Sequence, residues 1–319
     1  GAVRLVKTAT GFGIGYGTVA GGLIATDTTG LKKWQVPLSG STWSTLGNGA
    51  VVALTDGLVW LGSAFSNGSV QGMRLVRTDL AGKVVVDVAI GSGEIAVNTA
   101  IKFEKELLIG GRSGSWSGFV RQVGLQGKVT WHKGYGPWVS GLATVDSGFL
   151  LAGTTKGDKN ISYGWLARAS STGALVWSKT LSTPYSGVSA IVALPDGLAA
   201  AGWVNGLVPQ ANAGDALWLV RADNSGGVVW TRGYSYQGQQ RATALLALSD
   251  GFLFGGSGTK GGRMLRTDAF GNPSCAESGK CLGKTNSSCN DMNPCTFDTC
   301  TAADNCSHSN VKNGTVCGV

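Results

Sequence analysis

Along most of the chain, short apolar runs alternate with clusters of Gly, Asp, Asn and Ser. The clearest stretch lies between residues 187 and 234: GVSAIVAL, the turn PDG, LAAAGWV, a long polar loop, DALWLVRAD, the turn NSGG, and VVWTRGY. It predicts strand, tight turn, strand, loop, strand, tight turn, strand, and no helical period interrupts it. The same pattern recurs. A turn of the form D-x-x-G-x-x-x-W begins at Asp27, Asp79, Gly124, Ser170, Asp223 and Asp268. Glycine follows three residues on in every copy, and the last position holds Trp34, Val86, Trp131, Trp177, Trp230 and finally Cys275. The spacings of 52, 45, 46, 53 and 45 residues each suit four short strands and their turns. A second turn precedes an apolar strand at Asp56-Gly57, Asp146-Ser147-Gly148, Asp196-Gly197 and Asp250-Gly251, with Thr10-Gly11 and Lys105-Glu106 in the equivalent places.

Each residue type has a physical reason to be there. Asp bonds nearby backbone amides, Gly accepts positive φ, and a Trp on the last strand is an apolar anchor between neighbouring units. One four-stranded sheet cannot bury both its faces, whereas six packed radially can. The expected fold is therefore all-β, a six-bladed propeller of four-stranded blades over residues 1–274. These repeats resemble the tryptophan-docked propellers of the PQQ-like and outer-membrane-assembly lipoprotein families, and the glycine-rich propeller repeats of secreted bacterial proteins. What that resemblance implies is the fold. Pyrroloquinoline quinone enzymes commonly place a vicinal cysteine pair against their cofactor, and no Cys-Cys occurs here, so no cofactor is expected.

Composition sharpens this picture. Gly 52 against Pro 7 in 319 residues fits many tight turns, and 43% apolar content is enough for a core. All seven cysteines, Cys275, Cys281, Cys289, Cys295, Cys300, Cys306 and Cys317, fall in the last segment, residues 275–319. That segment has few apolar residues, so disulfides are its expected source of stability, at about 2–4 kcal/mol for each closed loop. CNDMNPCTFDTC resembles the Cys-rich "DDGNPCTTDTC" repeats of secreted bacterial surface proteins, with Met292 and Phe297 departing from the usual polar residues. An odd count leaves one thiol over, to pair further along a longer chain, to bond another molecule and so give a route to covalent self-assembly, or to stay free. Asp291, Asn293 and Asp298 offer oxygens to calcium but lack the EF-hand pattern, and turn capping is the favoured reading. No metal site is expected. The opening AVRLVKT without an initiator Met, together with the cysteines, reads as the mature product of an exported precursor, extracellular or at the cell surface.

The net charge is +8, but only 14% of residues are charged and no Lys/Arg run occurs, which argues against nucleic acid. No apolar stretch reaches membrane-spanning length.

The inventory for catalysis is thin. His132 and His308 are the only histidines, which excludes triads and three-histidine metal sites. Eight of the propeller's carboxylates occupy the repeating turns, leaving Asp87, Glu94, Glu104, Glu106, Asp158 and Asp215. A polysaccharide hydrolase or lyase using two of these is the alternative to a binding or structural module. Arginine stands two before the turn residue at Arg77, Arg168, Arg221 and Arg266, where shared strand faces predict pairing with Asp79, Asp223 and Asp268. Arg168, which faces Ser170, is the candidate for a functional role.

Loop length is asymmetric. In an up-and-down blade the first and third connections emerge at one end and are tight; the second connection and the inter-blade link emerge at the other and are long. Per-repeat insertions on one face are where repeat proteins bind. Trp43, Trp138, Tyr185 and Tyr236 recur in the inter-blade links and Trp116 in a within-blade loop, beside Ser, Asn, Gln and Gly. This chemistry suits stacking on a glycan or anchoring a protein partner.

Overall fold

The computed structural model describes residues 2–17, 22–38, 49–66, 69–91, 95–114, 117–205, 215–234, 239–259, 261–273, 296–300 and 306–310. They form antiparallel sheets in which consecutive strands are hydrogen-bonded neighbours, five of them four-stranded. The fold is an all-β six-bladed propeller with antiparallel blades, as the repeat predicts. Among the described residues blade six has three strands, closed by an isolated bridge between Thr267 and Pro273. The chain divides into two compact units, Gly1–Ala193 and Leu194–Val319.

The repeating turn is built as its residues dictate. Asp27 Oδ1 accepts the amides of Thr29 and Leu31, each at 2.9 Å, while the Gly30 amide donates to the Asp27 carbonyl. Gly30 sits at φ +88, and its counterparts Gly82, Gly127, Gly173, Gly226 and Gly271 also lie in the left-handed region that glycine enters without a Cβ penalty. A register shift follows on the strand entering the turn, between Ala25 and Thr26 in blade one and at matching positions in blades two to five. The first connection has two residues in every blade. A Cβ on Gly57 would lie 1.8 Å from the Thr78 carbonyl oxygen, so that strand can start against its neighbour only without a side chain.

Burial follows from the radial plan. Middle strands carry long buried runs, as over residues 107–111 of blade three and 216–222 of blade five. Outer strands show an exposed face, as in Lys32–Pro37. In the first unit, apolar clusters fill the seams: Trp60 and Val76 of blade two meet Trp34 and Leu38 on one side, and Leu61 and Leu75 of blade two meet Leu107, Ile109 and Phe119 of blade three on the other. Phe103 and Leu108 of blade three meet Phe149 and Trp165 of blade four.

The repeated Trp is the seam anchor. A Cβ on Gly82 would lie 2.6 Å from Trp34, and one on Gly271 would lie 2.9 Å from Trp230, so each indole covers the turn glycine of the following blade. Four residues on, Tyr135 donates to the Gly173 carbonyl at 2.8 Å and Tyr234 donates to that of Gly271. Burial pushes the Tyr135 phenol up to about 12.

Of the cysteine segment, residues 296–300 and 306–310 form a two-stranded hairpin in which Cys300 lies opposite Cys306 in the backbone register. Cys275, Cys281, Cys289, Cys295 and Cys317 lie outside the described residues.

Candidate binding surface

The two ends of each blade differ in chemistry. At the tight-turn end an arginine closes the hairpin, but with a partner other than the one strand spacing suggests. Arg77 pairs with Asp56, Arg221 with Asp196 at 2.5 Å, and Arg266 with Asp250 at 2.6 Å. Asp79 and Asp223 instead spend Oδ1 on the amides of their own turns, so the carboxylate across the first hairpin takes the guanidinium. Arg168 occupies the same slot in blade four and donates to Ser147 Oγ at 2.9 Å, the hydroxyl standing where other blades have Asp.

At the long-loop end, the ring of Trp138 lies beneath Arg112, whose Cζ is 5.1 Å from the ring centroid. Trp138 opens the first strand of blade four, and Arg112 comes from the second strand of blade three. The seam between blades five and six repeats this with the sides exchanged: Trp203, on the second strand of blade five, lies 4.3 Å from Arg241, on the first strand of blade six. Register confirms the equivalence, because Trp138 pairs with Thr154 and Arg241 with Ser257, each six residues past its turn glycine. Arg241 also binds the buried carboxylate of Asp215 at 2.5 Å, so its cation is held between a ring and an acid with half its side chain exposed.

Tyr185 links blade four to blade five. It is 55% exposed and has φ +52. Beneath it Ser186 is fully buried, its hydroxyl donating to Thr183 O at 2.6 Å and accepting the Gly164 amide at 2.9 Å. The structure thus places Trp138 and Tyr185 at the long-loop end of blade four and Arg168 near its other end, where it pairs with Leu150 rather than Thr154. Trp43, Trp116 and Tyr236 lie outside the described residues.

The sequence matches no protein-family model and no curated protein. Solved structures similar in fold include a protein of unknown function from Bacteroides caccae, at 13% identity and TM-score 0.46, with 84% of this chain and 90% of that one covered. BamB from Moraxella catarrhalis aligns at 18% identity and TM-score 0.47, covering 85% of this chain and 80% of that one. A point variant of the apocarotenoid oxygenase from Synechocystis aligns at 9% identity and TM-score 0.50, over 84% of this chain and 68% of that one. At these identities the likeness is one of fold.

Several of the carboxylates outside the turns have structural partners. Asp87 is paired with Arg74 at 2.6 Å, Asp215 with Arg241, and Glu106 accepts from Gln122 and Thr130. His132 accepts at Nδ1 from Arg121 Nε at 2.9 Å and stacks on Phe119; burial, then the nearby Arg121 charge, holds its pKa below the usual imidazole value. Among the described residues no group of three or more His, Cys, Asp or Glu could hold a metal ion, and no helix is long and apolar enough to cross a membrane. Arg112, Trp203 and Arg241 are the residues of this surface that sequence reasoning passed over, and Asp215 was weighed only as a possible catalytic acid. The one available signal was Asp215, an acid placed at the start of an apolar strand rather than in a turn.

Proposed function

We propose that the protein is a non-catalytic binding or assembly module of the cell envelope or extracellular space, which takes a glycan or a protein partner at the long-loop ends of its blades. The observation that supports this reading is Tyr185. A bulky aromatic in the left-handed region is a genuine backbone outlier, and such strain persists only where the surroundings impose it. Here the next residue, Ser186, is buried and hydrogen-bonded to Thr183 and Gly164, while the Tyr185 ring stands exposed. Trp138 under Arg112, and Trp203 with Arg241, supply flat apolar surfaces bordered by cations at the equivalent end of other blades, a combination suited to sugar rings or to interface anchors.

The test compares wild type with a Trp43→Ala/Trp116→Ala/Trp138→Ala variant and with Tyr185→Ala on a glycan array and against defined envelope proteins. Loss of a wild-type interaction at unchanged melting temperature supports the proposal; unchanged binding overturns it. Release of reducing sugar from a polysaccharide by wild type would move the reading to the hydrolase or lyase alternative. In the same proposal residues 275–319 are a disulfide-stabilised module. Thiol counting before and after reduction, with a non-reducing gel, tells a monomer carrying one free thiol from chains joined through the odd cysteine.

A further inference from the structure

Blades five and six enclose a cleft of about 570 Å³ at their tight-turn end, within the range of small-ligand sites. Its apolar lining includes Val229, Trp230, Phe252 and Phe270. Trp230 and Phe252 meet edge to face at 6.2 Å, while Val229 and Phe270 are 61% and 58% exposed at its mouth.

Phe270 breaks the pattern of the repeat. It stands two residues into the turn, where the other blades carry Thr29, Ala81, Gln126, Thr172 and Ser225. The Thr29 and Ser225 hydroxyls each donate to the turn aspartate at 2.7 Å, a bond that blade six forgoes. Local turn chemistry favours a small polar residue there, so an exposed phenyl ring needs another reason.

The rim supplies the charge. Arg221 is nearly buried and fully engaged, by Asp196 and by the carbonyls of Leu198 and Ala222. Asp196 answers that cation through Oδ1 on a side chain that is 81% exposed. Asp223 has no cationic partner: Oδ1 takes three donors from its own turn, and Oδ2 accepts none among the described residues. The cleft therefore has an apolar lining in which two carboxylates, Asp196 and Asp223, stand against one guanidinium, Arg221. The nearest equivalent, a cleft of about 420 Å³ between blades three and four, is lined by Lys102, Glu104, Asp146, Ser147 and Ser171 and has no exposed aromatic ring. Trp230 already draws one cation, with Arg232 Cζ 5.9 Å from its centroid.

We propose that this cleft is a binding site for an organic cation carried on an aromatic or long apolar body, with the body against Phe270 and Val229 and the cation beside Asp223 and Asp196. A free amine and a lysine beside an aromatic residue in a partner protein share this chemistry.

The experiment titrates the full chain with tryptamine and, separately, with indole-3-acetate, which has a similar ring and the opposite charge, following both by calorimetry. Tryptamine binds, and indole-3-acetate binds at least about tenfold more weakly. Phe270→Ser installs the residue that blade five carries at this turn position and should keep the melting temperature while weakening tryptamine by about tenfold. Asp223→Asn keeps the amide-accepting oxygen and removes the charge, with a similar loss. A short Trp-Lys peptide with blocked ends distinguishes the sources: tighter binding than tryptamine assigns the site to a protein segment, equal or weaker binding to a free amine. Equal binding of the acetate, no binding of either probe, or both variants binding as wild type overturns the proposal.

Discussion

Trp34 Nε1 donates to the carbonyl oxygen of Leu80 at 2.8 Å, so the last strand of blade one is hydrogen-bonded to the turn of blade two that its ring also covers. One side chain thus supplies both the apolar contact and the polar bond of a seam.

This coupling can be measured. Gly30 and Gly82 sit at φ +88 and +86, but an added Cβ meets nothing at Gly30 and strikes Trp34 at Gly82. Gly30→Ala should cost about 1–2 kcal/mol of left-handed strain, and Gly82→Ala clearly more. In a Trp34→Ala background the excess should disappear. Urea unfolding of both parents and of the two glycine variants in each background checks it, and an excess that survives without the indole would refute the seam assignment.

The arginine pairs differ in depth. The Arg221 side chain is 10% exposed and that of Arg266 54%. Asp196→Asn leaves a nearly buried cation without its counter-charge and should destabilise by about 1 kcal/mol or more, whereas Asp250→Asn should stay within about 0.5 kcal/mol. Equal effects in thermal melts would contradict this difference.

Thr78 and Thr267 are buried with hydroxyls that have no hydrogen-bond partner among the described residues, at the position where blades three, four and five carry Val123, Ala169 and Ala222. Thr78→Val should be neutral or stabilising by up to about 2 kcal/mol, because a desolvated hydroxyl is removed. Thr26→Val is the control: its hydroxyl donates to the Asp27 carbonyl at 3.0 Å, and its loss should cost stability.

His132 carries the pH prediction. Its folded pKa lies below the unfolded value, first through burial and then through Arg121, so protonation favours the unfolded chain. The neutral form, whose Nδ1 accepts from Arg121, contributes fully above the unfolded pKa of about 6.5, and stability falls as pH drops below it. Melting temperatures between about pH 7 and pH 5 should fall more steeply for wild type than for His132→Gln. Parallel slopes would remove His132 from the account.

The architecture was legible because its determinants are local. A turn with a left-handed glycine at a fixed place announces itself six times, four of them with a carboxylate three residues before that glycine, and the Trp four residues beyond it in four copies points to the seam. The arginines show where linear reasoning stops. Spacing puts Arg221 and Asp223 on one strand face, but Asp223 turns into its own loop, and Asp196 becomes adjacent only through the pairing of Gly197 with Asp223. Arg112 and Trp138 meet across a seam between blades, and no periodicity within a strand encodes that meeting. The aromatic surface is visible in part, since Trp138 and Tyr185 are placed while Trp43, Trp116 and Tyr236 fall outside the described residues.

The exchanged stacks bear on how such a chain avoids assembling wrongly. Blade three offers an arginine to its successor and blade four meets it with a ring; blade five offers a ring and blade six meets it with an arginine. Were blade three to settle against blade six during synthesis, two guanidinium groups would face each other. Were two growing chains to trade blades out of order, the same mismatch would arise. A repeat protein whose units look alike to their neighbours is open to shuffled intermediates, and exchanging the sides of one contact between these two seams makes the four blades chemically distinct from one another.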